Sequence, residues 1–212
     1  MGNMYKILGV FLFVLLINSP QTSIGKEPEP ARILLFGDSI VAGYKHSAED
    51  KLDRQLEAML RKAGYLVEVI NGGISGDTTA GGVRRLRSAI QKHLPHVTII
   101  ALGGNDLLRK KDPKVVRQNV DNMLRISREM RASVVLSAVV APADNGEYYQ
   151  SQFNAIYPDL AAKYRVPLYP FLIQNTYGKP DLMQKDGVHP SEKGTKLIAQ
   201  ELAAYFIHAW KR

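Results

Sequence analysis

The chain has 212 residues and a formal net charge of +8 at pH 7, and it contains no cysteine. Without cysteine it can form neither a disulfide framework nor a cysteine-based metal site. Its basic runs favour transient contact with an anionic membrane surface or with anionic substrates, with a solvated helix face as the alternative, and no nucleic-acid-binding motif accompanies them.

The beginning of the chain has the composition of an export signal. An apolar run of eleven residues, Ile7 to Ile17, suits the core of a signal peptide and is short for a membrane span. Ser23 and Gly25 are small residues at the −3 and −1 positions of a signal-peptide cleavage site after Gly25. An uncleaved anchor is the alternative. We expect a bacterial protein exported to the periplasm or the medium, with residues 1–25 removed and residues 26–212 forming a single domain.

Short apolar runs alternate with amphipathic helical patterns through the rest of the chain. The apolar runs predict strands at 33–36, 66–70, 97–102, 133–140 and 166–169. Apolar residues at helical spacing predict helices at 50–63, 78–93, 113–130, 149–163 and 191–210. Pro158 is expected to kink or split the fourth of these helices. This alternation predicts an α/β fold, a central five-stranded parallel sheet with helices on both faces.

Four motifs with chemically functional residues follow the predicted strands. They are Gly37-Asp38-Ser39-Ile40, Gly73-Ile74-Ser75-Gly76-Asp77, Gly103-Gly104-Asn105-Asp106 and Asp186-Gly187-Val188-His189-Pro190. Each motif by itself is typical of a turn. Because ligands of parallel sheets bind beyond the carboxyl ends of the strands, all four together predict one shared site at that edge.

Ser39, His189 and Asp186 have the properties of a nucleophile, its base and the carboxylate that orients the base. Asp186 precedes His189 by three residues, and the glycine between them allows a tight turn with both side chains on one side. The remaining four histidines have no carboxylate arranged in this way. Ser75 is the alternative nucleophile, but it lacks the Gly-x-Ser-x-Gly elbow of the α/β-hydrolases.

An acyl-transfer site also needs hydrogen-bond donors for the oxyanion of its tetrahedral intermediate. The backbone N–H groups of Ser39 and Gly76 and the side-chain amide of Asn105 are the candidates, with an Asx turn as the alternative role of Asn105. The sequence has no His-Glu-x-x-His motif, no phosphate loop and no dinucleotide fingerprint. We therefore expect a site without a metal or a cofactor.

The four motifs resemble the four sequence blocks of the SGNH (GDSL-type) hydrolases, and the resemblance runs from Ile33 to the last helix. Within that family the chain is most similar to the small bacterial thioesterase I, lysophospholipase L1 and arylesterase group. The residues that indicate this group are Ala42-Gly43-Tyr44, Ser75 to Thr79, Leu102 to Leu107 and Asn154 to Pro158. The resemblance implies a flavodoxin-like three-layer sandwich that hydrolyses thioesters, aryl esters and lysophospholipids without a cofactor. It also implies roles for Ser39, Gly76, Asn105, His189 and Asp186.

The chain departs from the pattern of the family in two places. Ile40 replaces the usual leucine of the family, and the charged loop 141–149 is expected to reshape the substrate pocket. Leu107 and Leu108 are candidates to line an acyl pocket, with a place in the core as the alternative. We expect an esterase and thioesterase that forms an acyl-enzyme. A carbohydrate O-deacetylase and a non-catalytic binding module on the same scaffold are the alternatives.

Overall fold

The computed structural model describes residues 28–210, which are built around one sheet of five parallel strands. The strands are β1 (Ala31–Gly37), β2 (Val67–Gly73), β3 (Val97–Ala101), β4 (Val134–Ser137) and β5 (Leu168–Tyr169). They lie in the order β2-β1-β3-β4-β5. This is the flavodoxin-like order, whose ligands bind at the carboxyl ends of β1 and β3, where the order reverses. The predicted fold is confirmed, while the predicted signal peptide lies outside the described residues.

Eight α-helices flank the sheet within residues 28–210. They are α1 (Ser39–Ala42), α2 (Leu52–Lys62), α3 (Thr79–His93), α4 (Gly104–Leu108), α5 (Pro113–Glu129), α6 (Glu147–Asn154), α7 (Ile156–Tyr164) and α8 (Glu192–Trp210). Single 3₁₀ turns occur at Ala143–Asn145 and Pro180–Leu182. None of the helices in this part of the chain is long and apolar enough to cross a membrane.

The side chains of β1 alternate between two hydrophobic cores, one on each face of the sheet. Leu34 and Phe36 pack into the core formed with α3, α5, α6 and α7. Ile33 and Leu35 pack into the core formed with α2 and α8. All four side chains are almost fully buried, and burial of each contributes about 1.5–3 kcal/mol. This burial on both faces explains why β1 is apolar without interruption.

The fourth predicted helix is divided, and the division lies one turn before Pro158. Helix α6 ends at Asn154, and α7 begins at Ile156 after the capping residue Ala155. A proline has no N–H to donate to the carbonyl four residues earlier, and its ring crowds that carbonyl, here of Asn154. The helix therefore ends at Asn154, and Pro158 lies in the first turn of α7, where its missing N–H costs no intrahelical bond.

The differences between predicted and observed elements concentrate at the carboxyl edge of the sheet. Helices α1 and α4 have four and five residues, which is too short for a periodic pattern. The predicted strand 133–140 is too long, because Val139 and Ala141 stay buried in the core after β4 has ended. An apolar run does not distinguish a strand from a buried connection that follows it.

Candidate active site

Ser39 is the first residue of α1, directly beyond β1. The Asp38 carboxylate caps this short helix by accepting a hydrogen bond of 3.1 Å from the N–H of Ile40. Gly37 leaves room for the turn, since a Cβ at this position would clash with the Val41 side chain. The strand-to-helix turn thus fixes the Ser39 backbone at the carboxyl edge of the sheet.

His189 and Asp186 lie on one turn before α8, and their side chains are bonded in series with Ser39. His189 Nε2 is 2.8 Å from Ser39 Oγ, and His189 Nδ1 is 2.9 Å from Asp186 Oδ2. The other Asp186 oxygen accepts the N–H groups of Val188 and His189, each at 3.0 Å. Gly187 makes the turn possible with a φ of +67°.

The Asp186 carboxylate is held in its ionised form. The pKa of Asp186 is lowered to about 2, chiefly by the backbone N–H of His189 and also by the His189 imidazole. An ionised carboxylate on Nδ1 fixes the tautomer in which Nε2 accepts the Ser39 proton. The arrangement can therefore activate a hydroxyl for attack on a carbonyl carbon.

The imidazole contact favours Ser39 over Ser75 as the nucleophile. Ser75 is exposed on the loop between β2 and α3, and it is absent from the described residues that line the cavity beside Ser39. Nor do three or more histidine and carboxylate side chains come together as a metal site anywhere in residues 28–210. The geometry thus brings the three predicted triad residues together.

The two further oxyanion candidates lie on neighbouring loops. Asn105 is in the first turn of α4 and lines the same cavity as Ser39 and His189. Its Nδ2 is 3.5 Å from Asp38 Oδ2, at the outer limit of a hydrogen bond. Gly76 has a φ of +78°, and its carbonyl accepts a bond from Arg109. It is not among the cavity-lining residues in the described chain, so its role as a donor stays a prediction.

Arg85 connects the loops that carry Ser39 and Gly76. Its guanidinium donates to the carbonyls of Gly37 and Gly72, both at 2.8 Å, and to Asp77 Oδ2 at 2.7 Å. It also lies 3.8 Å from the centre of the Phe36 ring. Arg85 belongs to one of the basic runs of the sequence, Arg84 to Arg87, and no sequence signal reveals its carbonyl partners on β1 and β2.

Asp106 anchors the loop of Asn105 in a similar way. Its carboxylate accepts two hydrogen bonds of 2.8 Å from Thr79, one from the backbone N–H and one from the hydroxyl. Asn119 of α5 donates to the same hydroxyl at 3.0 Å. Asp106 and Thr79 are both buried. This network holds α4 against the start of α3 and limits the movement of Asn105.

Asp38 is a second buried carboxyl group beside the reacting residues. Burial raises the pKa of Asp38 to about 6, although the Ile40 N–H and the nearby His189 act in the opposite direction. The sequence pattern indicates only a turn at this residue. Its place between Ser39 and Asn105 gives it a direct influence on the charge of the site.

A cavity of about 340 Å³ opens beside Ser39 and His189, within the size range of small-molecule sites. Leu107 and Leu108 both line it. Leu107 also packs against the core, whereas Leu108 is 60% exposed. The rest of the wall follows β4 and β5, and no sequence signal distinguishes its apolar members from core residues. They are Ala138, Val139, Val140, Phe171, Leu172, Ile173 and Tyr177.

The predicted loop 141–149 is partly helical and contributes to the same cavity. It contains the 3₁₀ turn Ala143–Asn145 and the start of α6. Pro142, Asp144 and Asn145 are among the lining residues. The loop therefore forms part of the cavity wall, as the sequence predicted.

Comparison with known proteins places this chain among the ester hydrolases. The GDSL-like Lipase/Acylhydrolase family matches residues 35–197. An arylesterase of Vibrio mimicus is 36% identical over 204 residues, 96% of this chain and 98% of its own. Thioesterase 1/protease 1/lysophospholipase L1 of Escherichia coli K12 is 36% identical over 171 residues, 81% of each chain. The crystal structure of AlinE4, an SGNH-hydrolase family esterase, is 37% identical with a TM-score of 0.72, covering 87% of this chain and 98% of its own.

The chain belongs to the GDSL-like lipase/acylhydrolase family, also called the SGNH hydrolases. It is an SGNH-type hydrolase that acts on ester bonds. The resemblance inferred from the four motifs is thus confirmed.

Proposed function

We propose that the enzyme hydrolyses acyl esters and thioesters through an acyl-enzyme formed on Ser39. The observation that carries this proposal is the bonded series Ser39–His189–Asp186 at the wall of an apolar cavity. An activated hydroxyl beside an apolar cavity suits a substrate with a reactive carbonyl and a hydrocarbon chain.

The reaction begins when Ser39 Oγ attacks the substrate carbonyl carbon and its proton passes to His189 Nε2. The carbonyl oxygen becomes an oxyanion, which accepts bonds from the N–H groups of Ser39 and Gly76 and from the Asn105 amide. As the tetrahedral intermediate collapses, the bond to the alcohol or thiol breaks and His189 returns the proton to the leaving group. Water then attacks the acyl-enzyme by the same steps, releasing the acid and restoring Ser39.

The proposed substrates are acyl chains on an alcohol or thiol leaving group: aryl esters, thioesters such as acyl-CoA, and lysophospholipids. The cavity walls support the acyl part of this proposal, because most of their side chains are apolar. The names of the Vibrio mimicus and Escherichia coli relatives support the aryl ester, thioester and lysophospholipid parts. No step in the proposed reaction requires a metal or a cofactor.

A ladder of aryl esters from acetyl to palmitoyl, with a long-chain acyl-CoA and a lysophospholipid, tests this substrate class. We expect kcat/KM to rise from acetyl to a medium or long chain, and we expect measurable turnover of the thioester. Ser39→Ala is the control for background hydrolysis. A maximum of kcat/KM at the acetyl ester, together with turnover of acetylated sugars, would favour the O-deacetylase instead. Failure of a fluorophosphonate to label the protein would favour a non-catalytic binding module.

Export is part of the same proposal. The apolar run 7–17 and the small residues before Lys26 support removal of residues 1–25. N-terminal sequencing of the protein from the periplasm or medium of a bacterial host should find Lys26 first. An intact Met1 on that material would contradict the cleavage.

We also propose transient contact of the cavity mouth with anionic membranes. Leu108, Val140 and Tyr177 line the cavity and are 60%, 44% and 51% exposed, and Lys110 lies beside them. Exposed apolar side chains with a nearby cation suit a lipid surface. Sedimentation with vesicles should show more binding to phosphatidylglycerol than to phosphatidylcholine, and equal binding to both would contradict the electrostatic part.

A further inference from the structure

The reacting pair comes from distant parts of the chain, so its spacing depends on contacts between two segments. Ser39 begins α1, and His189 lies 150 residues later on the turn before α8. The bond of 2.8 Å between their side chains is a consequence of how these segments are held together. A displacement of about 1 Å in such a pair can cost 100-fold in rate.

The side-chain amide of Gln184 joins the two segments. Gln184 Nε2 donates to the Tyr44 carbonyl at 2.9 Å and to the Pro190 carbonyl at 3.0 Å. Its backbone N–H donates to the carbonyl of His189 at 2.7 Å, and its own carbonyl accepts the N–H of Gly187. Gln184 therefore closes the turn of His189 and ties it to the segment that follows Ser39.

Tyr44 completes this connection on the nucleophile side. Its backbone N–H donates to the carbonyl of Ser39 at 3.0 Å. Its ring lies against the imidazole of His189, with the ring centroids 4.3 Å apart and the planes at 33°. Tyr44 thus contacts the nucleophile through its backbone and the base through its ring, and Gln184 holds its carbonyl.

We propose that Gln184 and Tyr44 are positioning residues that hold the His189 imidazole in place against the Ser39 hydroxyl. The proposal rests on the proposed function, since it assigns Ser39 and His189 as the reacting pair. Asp186 and Ser39 bond the two ring nitrogens, and Tyr44 covers a face of the ring. With the turn fixed by Gln184, the imidazole keeps the orientation that proton transfer requires.

Gln184→Met tests the amide, because methionine has a similar length and no N–H donor. We expect kcat to fall about 10- to 100-fold with little change in KM for a short aryl ester. The rate of inactivation by a fluorophosphonate should fall by a similar factor, since it uses the same serine and histidine. Gln91→Met, on the solvent side of α3, is the matched control and should behave like the wild type.

Tyr44→Phe and Tyr44→Ala form a second, independent pair. The phenylalanine variant keeps the ring and the backbone bonds, so we expect activity within about twofold of the wild type. The alanine variant loses the ring contact with His189 and should lose about tenfold or more in kcat. Equal activity of the alanine and phenylalanine variants would overturn the role of the ring, whether or not Gln184→Met folds.

Double variants separate positioning from general stabilisation. A positioning role predicts that the loss in Gln184→Met shrinks in an Asp186→Asn background, where Nε2 is no longer fixed as the proton acceptor, and is unchanged in an Asn105→Ala background. Losses that multiply in both backgrounds would overturn the proposal. Labelling of Ser39→Ala by the fluorophosphonate would contradict the proposed function itself. If Ser39→Ala lost labelling but Gln184→Met kept the wild-type kcat, only the positioning proposal would fail.

Discussion

At the carboxyl edge of the sheet, the loops on one side of the active site differ in construction from the segments on the other side. The loops after β1, β2 and β3 are tied together by partly or fully buried polar side chains, with Arg85 bonded to two strand ends and Asp106 bonded to Thr79. The segments directly after β4 and β5, residues 138–145 and 171–177, face the cavity mainly with apolar side chains, and some of these, such as Val140, are substantially exposed.

This difference indicates a division of labour. Stabilising a developing charge needs donors held in fixed positions, which polar networks provide. Accepting an acyl chain needs apolar area and tolerates rearrangement, which apolar walls provide. We therefore expect changes in the first half, or on the turn that carries Asp186 and His189, to reduce turnover for every substrate. Changes in the second half or at its border should alter the preference among substrates.

The largest expected effect concerns the base. His189→Ala should reduce kcat roughly a millionfold, as removal of the base does in other serine hydrolases. Asp186→Asn should retain more activity, with a loss of roughly ten-thousandfold, because the imidazole remains but its tautomer is no longer fixed. Steady-state kinetics on an aryl ester measures both. Near-normal turnover of His189→Ala would mean that another group takes the Ser39 proton.

The next effect concerns the oxyanion. Asn105→Ala should lower kcat about 100- to 1000-fold with little change in KM, because the amide helps only as negative charge develops. The factor should be the same for acetyl and decanoyl esters. Asn122→Ala, on α5 away from the cavity lining, is the control. A loss that depended on chain length would assign Asn105 to substrate binding instead.

A third prediction uses the burial of Asp38. Because its pKa is raised to about 6 in the folded protein, the unfolded chain loses this proton at lower pH than the folded protein does. Below about pH 4 the carboxyl group is neutral in both states, and as pH rises to 6 its ionisation destabilises the fold by roughly 3 kcal/mol.

Asp38→Asn, neutral at every pH, should therefore gain stability relative to wild type between pH 4 and 7. Denaturant unfolding at four pH values gives the difference in unfolding free energy, and Asp144→Asn controls for the loss of an exposed carboxylate. A difference that stayed constant with pH would contradict the shift. A gain of this kind would show that the nucleophile loop keeps a buried carboxyl group at the expense of stability.

The smallest effect concerns the border of the apolar half. Leu108→Ala should reduce kcat/KM for a decanoyl ester about tenfold more than for an acetyl ester, since each methylene removed from water contributes about 0.8 kcal/mol and the loss of about two such contacts amounts to roughly tenfold. Leu107→Ala is less diagnostic because Leu107 also packs against the core. Leu66→Ala, an exposed leucine before β2, is the control. An equal loss on both esters would assign Leu108 to structure.

The same division explains what could be predicted from sequence. The triad and the oxyanion candidates lie in short motifs whose residue types reveal their chemistry, and alternating apolar runs revealed the fold. Arg85 and Gln184 were missed because their partners are backbone carbonyls of distant segments. The walls after β4 and β5 were missed because an apolar residue that lines a cavity has the same pattern as one in the core.

Labelling of Ser39 tests the central assignment most directly. The purified protein would be treated with a fluorophosphonate, digested and mapped by mass spectrometry, beside a folded Ser39→Ala variant. We predict one modified peptide, with the phosphonate on Ser39, loss of esterase activity in proportion to labelling, and no labelling of the variant. Modification at Ser75, or full labelling of Ser39→Ala, would contradict the account.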